Sequence, residues 1–196
     1  MAGGGATRYG GAPKGLLEVG GRRIVDRVVE GLERATHAAP VLIANAPGAA
    51  AWRPGLRVVP DVLPEHGSLG GILTAVEALG SALCVAWDMP FVPPALLAAL
   101  AAGLETADAV LPESDSRRGV EPLCAAYGPA CGPAIRAAIA RGEGRAIGFH
   151  AAVRVARLAR ETVLQYGDPA VLFFNVNTPD DLARAEELCR NLGSSR

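Results

Sequence analysis

Three clusters of polar residues in this chain have the types and spacing needed to handle phosphates. The first is the run Gly3-Gly4-Gly5-Ala6-Thr7-Arg8-Tyr9-Gly10-Gly11-Ala12-Pro13-Lys14. Glycines let backbone N–H groups approach phosphate oxygens with no Cβ in the way, and Arg8 and Lys14 add positive charge. The run fits neither G-x-G-x-x-G nor G-x-x-x-x-G-K-[ST], because Lys14 lies between Pro13 and Gly15. Lys14 is notable for a second reason. Of 19 basic residues it is the only lysine, which points to a place where a compact ammonium serves and a planar fork does not, with chance as the plain alternative. For the whole run, the plain alternative is a loose N-terminal tail. Against that stand the apolar residues Leu16, Leu17 and Val19, which follow at once.

The second cluster centres on Asp88, which closes the apolar run Leu83-Cys84-Val85-Ala86-Trp87. A carboxylate just past a buried strand falls at the C-terminal edge of the sheet, where open α/β sheets bind ligands. A lone Asp there suits Mg²⁺, which takes one or two carboxylates and fills its shell with water and phosphate oxygens. It equally suits a cap on the following turn. The third cluster is Asn175-Val176-Asn177-Thr178-Pro179-Asp180. Alternation about Val176 sends both amides to one side, toward a ligand or a metal-bound water; turn chemistry is the other reading of Asn177. Asn45 and Asp61, at the ends of two further strand runs, are weaker candidates.

These residues need elements to hold them. Residues 1–21 read as loop. Helical spacing of Ile24, Val25, Val28, Val29 and Leu32 predicts an amphipathic helix over 22–36. Short buried strands are expected at 41–44, 56–59, 83–87, 109–111, 122–127 and 171–174. Helices are expected from 68 or 69 to 79, over 94–104, 134–140 and 145–151, and from 178 to 192. The stretch 153–163 is ambiguous. In the last helix Thr178 is the N-cap and Pro179 the first helical residue. Apolar strands alternating with helices indicate an α/β fold with a mostly parallel sheet. No repeat and no long linker divides the chain.

Composition narrows the function. The chain has 196 residues, 50% hydrophobic and 20% charged, with net charge −1. That is a folding composition, and it gives no overall attraction to nucleic acid or an anionic membrane. No apolar run reaches the ~20 residues of a membrane span, and the first residues lack the apolar core of a signal peptide, so a cytoplasmic protein is expected. Cys84, Cys124, Cys131 and Cys189 form no C-x-x-C pair, and His37, His66 and His150 are far apart. A zinc cluster is therefore not expected. Nor is a side-chain nucleophile: G-x-S-x-G is absent and no cysteine has a histidine nearby in sequence.

Taken together, the runs A-G-G-G-A-T-R-Y-G-G-A-P-K, C-V-A-W-D-M-P-F-V and F-F-N-V-N-T-P-D-D-L resemble the molybdenum cofactor guanylyltransferases. The resemblance covers nearly the whole chain. It implies a three-layer, Rossmann-like nucleotidyltransferase fold, with a mostly parallel sheet and helices on both faces. Residues 1–196 would form a single domain, its N-terminal part binding nucleotide and its C-terminal part the acceptor. The implied reaction transfers GMP from GTP to the phosphate of molybdopterin, or the molybdenum cofactor, and releases pyrophosphate with Mg²⁺. Partners so implied are GTP, the pterin, and proteins that deliver the cofactor or receive it as molybdoenzymes. Nucleic acid and membrane are not among them.

Carried over by position, the resemblance puts Met1, Ala2, Gly3 and Gly4 at the nucleotide end of the loop. Arg8 and Lys14 are its loop cations, and Asn45 and Asp61 lie near guanine and ribose. Asp88 is the Mg²⁺ ligand. Gly67 and Gly71 belong to the substrate cleft, and Arg145, Asn175 and Asn177 to the pterin side. Tyr9 stands where the family usually has methionine. The family also has an apolar strand ahead of A-G-G, so either the chain is shortened there or another segment fills that place. Related enzymes with a similar loop transfer CMP or act on sugar phosphates, and a nucleotide-binding module without turnover is a further alternative.

Overall fold

A computed structural model describes residues 1, 2 and 13–194. A two-residue hairpin opens the second stretch, with β1 (Glu18–Val19) antiparallel to β2 (Arg22–Arg23). Gly20 and Gly21 turn it at φ +58° and +70°, a conformation that a Cβ disfavours and that matches the twist of the strands. This hairpin is why α1 (Ile24–Thr36) starts two residues later than the periodicity predicts. The helix ends where His37 turns left-handed at φ 54°.

Next come β3 (Val41–Ile43), β4 (Arg57–Val59), α2 (Gly67–Leu79) and β5 (Ala82–Val85). They are followed by α3 (Pro94–Ala102), β6 (Ala109–Pro112), β7 (Cys124–Tyr127) and α4 (Cys131–Ala140). The chain then runs through β8 (Val155–Leu158), α5 (Arg160–Leu164), α6 (Pro169–Leu172) and α7 (Pro179–Ser194). Strands β3 and β4 pair in parallel, and the order β5-β7-β6-β8 makes a four-stranded sheet. There β6 and β8 are parallel, while β7 runs against both its neighbours. The sheet is thus mixed. No helix separates β6 from β7, so the chain reverses directly into an antiparallel partner.

The layers follow from side-chain alternation. Cys84, Ala109, Leu111, Ala125 and Tyr127 pack with α2 and α4 in one core. Their neighbours Val85, Val110, Cys124 and Ala126 pack with α3 in another, where Val28 and Leu32 of α1 also join. Helices therefore cover both sheet faces, as expected of a three-layer α/β fold. Met1 and Ala2 lie between the two sheets. The Met1 ammonium donates to Val85 O at 2.7 Å and the Ala2 N–H to Ile43 O at 2.8 Å. Behind Met1, β3 and β5 line a cavity of about 310 Å³.

Two expected elements differ. The apolar run at 171–174 is not a strand: α6 ends at Leu172 and irregular chain follows. Asp168 caps that helix by accepting from Ala170 N, and Pro169 occupies its first position, a start signal that outweighs apolar content. Residues 145–151 form turns that close in a 3₁₀ segment, His150–Ala152, not a short α-helix. The ambiguous stretch resolves into β8 and α5.

Candidate active site

Each polar cluster is fixed by its own local structure. Lys14 begins a 3₁₀ turn, Lys14–Leu16, closed by Leu17 N–H donating to Lys14 O at 3.0 Å. Asp88 follows β5, and its carbonyl accepts from Val176 N at 2.9 Å. Val176 is fully buried in a small core with Val19, Ile24 and Ala185. That burial anchors the segment between the two asparagines. Beyond it, Thr178 caps α7 by accepting from Asp181 N at 3.1 Å. Asp181 returns the favour through Oδ2, which accepts from Asn177 N at 2.9 Å and Thr178 N at 2.8 Å. This is a reciprocal cap, and it fixes the backbone that carries Asn177.

These pieces meet in one cavity of about 550 Å³. Met1, Ala2, Asn45, Asp61, Gly67, Gly71, Asp88, Asn175 and Asn177 all line it, with Glu65, Ser68 and Trp87. Lys14 Nζ donates to Asn177 Oδ1 at 2.8 Å, which ties the start of the chain to its last helix. Asn45 and Asp61 form a mutual pair: Asn45 Nδ2 donates to Asp61 Oδ2, and Asp61 N to Asn45 Oδ1, both at 2.7 Å. Arg145 stands apart from this cavity, exposed and paired with Glu143 at 2.7 Å. Its guanidinium holds the Glu143 carboxyl down to about 2. Gly3, Gly4 and Arg8 lie outside the described residues.

Burial pushes the Asp88 carboxyl above the usual carboxylate range, while the Lys14 and Met1 ammonium groups pull it back. The Met1 ammonium is itself lowered by burial and favoured by Cys84, Asp88 and Asp61. The site thus holds a carboxylate short of compensating charge, facing a space large enough for a nucleotide fragment. The thiols of Cys84 and Cys131 supply no nucleophile. Burial drives Cys84 up to about 12 and Cys131 up to about 11, so neither is a thiolate at neutral pH. Among the described residues no cluster of three His, Cys, Asp or Glu is arranged to hold a metal.

Residues 1–161 match the family described as the MobA-like NTP transferase domain. The chain belongs to that family. This MobA-like chain is 35% identical to a probable molybdenum cofactor guanylyltransferase of Pelotomaculum thermopropionicum, over 98% of this chain and 93% of the relative. It is 37% identical to a molybdenum cofactor guanylyltransferase of Cereibacter sphaeroides, over 97% and 95%. The crystal structure of molybdopterin-guanine dinucleotide biosynthesis protein A from Archaeoglobus fulgidus superposes with TM-score 0.80 at 30% identity, covering 97% and 96%. A cytidylyltransferase from Thermus thermophilus, 2-C-methyl-D-erythritol 4-phosphate its substrate by name, reaches TM-score 0.63 at 22% identity, over 91% and 94%. That likeness shows a shared fold.

Sequence spacing did not disclose how this MobA-like chain packs the Lys14 turn on the segment that carries Asp88. Gly15, next to Lys14, lies under the ring of Trp87, next to Asp88, and a Cβ on Gly15 would come within 2.8 Å of Trp87 Cδ2. Trp87 stacks in turn on Trp52, with ring centroids 4.8 Å apart. The indole thus packs between Gly15 and Trp52 and limits where the Lys14 turn can lie. Gly15→Ala should therefore displace the Lys14 turn, cost roughly 1–3 kcal/mol of stability and lower turnover. Adding Trp87→Leu should restore part of the stability in denaturant unfolding; an unchanged midpoint for Gly15→Ala alone would refute the contact.

Proposed function

We propose that this protein transfers GMP from GTP to the terminal phosphate of molybdopterin or the molybdenum cofactor, releasing pyrophosphate. The observation that carries this reading is the convergence of Asp88, Asn175, Asn177 and the Asn45–Asp61 pair on one cavity, with Lys14 bonded at its edge. A phosphate oxygen of the acceptor attacks the α-phosphorus in line; the new P–O bond forms as the bond to the pyrophosphate oxygen breaks. No protein nucleophile is needed, so catalysis rests on positioning and on charge.

The residues divide the work as follows. Asn45 and Asp61 hold the nucleoside end beside Met1 and Ala2, and the family resemblance assigns Gly3 and Gly4 to the same task. Lys14 and Arg8 neutralise the departing pyrophosphate. Gly67 and Gly71 line the cleft, and Asn175 and Asn177 take the pterin side. The nucleotide part is thus the N-terminal portion and the acceptor part the C-terminal one. A single desolvated carboxylate flanked by amides fits a hard cation that keeps water and phosphate oxygens in its shell. We assign Mg²⁺ to Asp88, where it would supply charge to the phosphate oxygens.

No helix of the described residues is long and apolar enough to cross a membrane, and the four cysteines are free. Both support a cytoplasmic location, where cofactor-delivering or molybdoenzyme proteins are the natural partners. Calorimetric titration with GTP, CTP, ATP and UTP in Mg²⁺ tests the nucleotide choice. GTP alone should bind tightly. Preference for CTP would instead indicate the cytidylyl reaction, and equal binding of all four a less selective nucleotidyltransferase.

A further inference from the structure

Thr74 is a fully buried polar side chain in α2 with no part in the chemistry above. Its hydroxyl accepts from Val62 N at 3.0 Å and lies 2.9 Å from Gly70 O and 3.4 Å from Asp61 Oδ1, the two acceptors for its single hydrogen. The helix is packed flush on the same segment: a Cβ on Gly70 would reach Leu63 O at 2.9 Å. Asp61 is thereby held from two sides. Asn45 fixes its N–H and Oδ2, and Thr74 sits against Oδ1 while satisfying the next backbone N–H.

We infer that Thr74 is a positioning residue for nucleotide recognition, fixing the Asn45–Asp61 pair from inside the core. The inference rests on the reading of that pair as the nucleoside end of the site. A hydroxyl that served α2 alone would bond back to Gly70 O and nothing else, as a mid-helix Thr commonly does. Here it also holds the Val62 N–H, which a methyl group would leave without that acceptor. Loss of that bond frees the backbone at Asp61 and Val62 and so alters the carboxylate facing the cavity.

The test is steady-state kinetics with both substrates on Thr74→Val, Thr74→Ser and Asp61→Asn. Thr74→Val should raise KM for GTP about fivefold to tenfold, leaving kcat and the acceptor KM near wild type. Thr74→Ser, which keeps the hydroxyl, should restore the GTP value. A merely structural role would move both substrates alike or leave both unmoved, and either result overturns the inference. If the valine variant does not fold, Thr74→Ala removes the same hydroxyl and carries the same expectation. An unchanged GTP KM in Asp61→Asn would refute the nucleoside reading itself. A raised one beside an unchanged Thr74→Val would refute only the role of Thr74.

Discussion

Lys14→Arg should lower kcat by about 100-fold although the charge is kept. The ammonium sits at the start of a tight 3₁₀ turn and donates to Asn177 Oδ1 at 2.8 Å. Gly15 beside it lies against Trp87, so the backbone has little room to retreat for a longer, planar head group. A guanidinium spreads its charge over a fork and satisfies carboxylates or phosphates edge-on, whereas Lys concentrates it on one atom. Lys14→Ala should fall further, since charge and hydrogen bond are both lost. Initial rates of pyrophosphate release measure both. Near wild-type turnover in Lys14→Arg would show that any cation serves at this position.

Asp88→Asn should have the largest effect, with turnover down by about 1000-fold or more and no rescue by excess Mg²⁺. The same change should stabilise the fold. Burial raises the folded pKa of Asp88 above its unfolded value, so the native state loses stability as pH rises through that folded pKa. Asparagine keeps the shape and removes the charge. In metal-free buffer at pH 7 the variant should therefore melt higher, by roughly 1 kcal/mol, and the gain should vanish in acid, where both side chains are neutral. Thermal melts at pH 7 and pH 3.5 check this. A variant less stable than wild type at neutral pH would contradict the desolvated carboxylate.

What the sequence disclosed was whatever a local pattern enforces. Thr178 and Pro179 announce the start of α7, and the apolar run before Asp88 announces a strand that delivers a carboxylate to the sheet edge. Asn175 and Asn177 reach one cavity even though the preceding 171–174 run is not a strand, because buried Val176 and the Asp181 cap orient them independently. The Asp168-Pro169 start signal was legible too, but a run of apolar residues masked it. Other features had no local signature. Lys14 and Asn177 are 163 residues apart, and nothing in their spacing predicts contact. Gly15 under Trp87, and Thr74 beneath Asp61, arise only when the helices are laid on the sheet. The reversal of β7 likewise depends on which strands become neighbours.

The most direct measurement supplies molybdopterin with each of the four nucleoside triphosphates, labelled at the α-phosphate, and identifies the pterin product by mass spectrometry. GMP transfer leaves the α-label on the pterin, with unlabelled pyrophosphate released in equal amount. We expect that product from GTP in the presence of Mg²⁺ and none from CTP, ATP or UTP. Labelled pterin from CTP in preference to GTP, or GTP binding with no labelled pterin at all, would contradict guanylyl transfer.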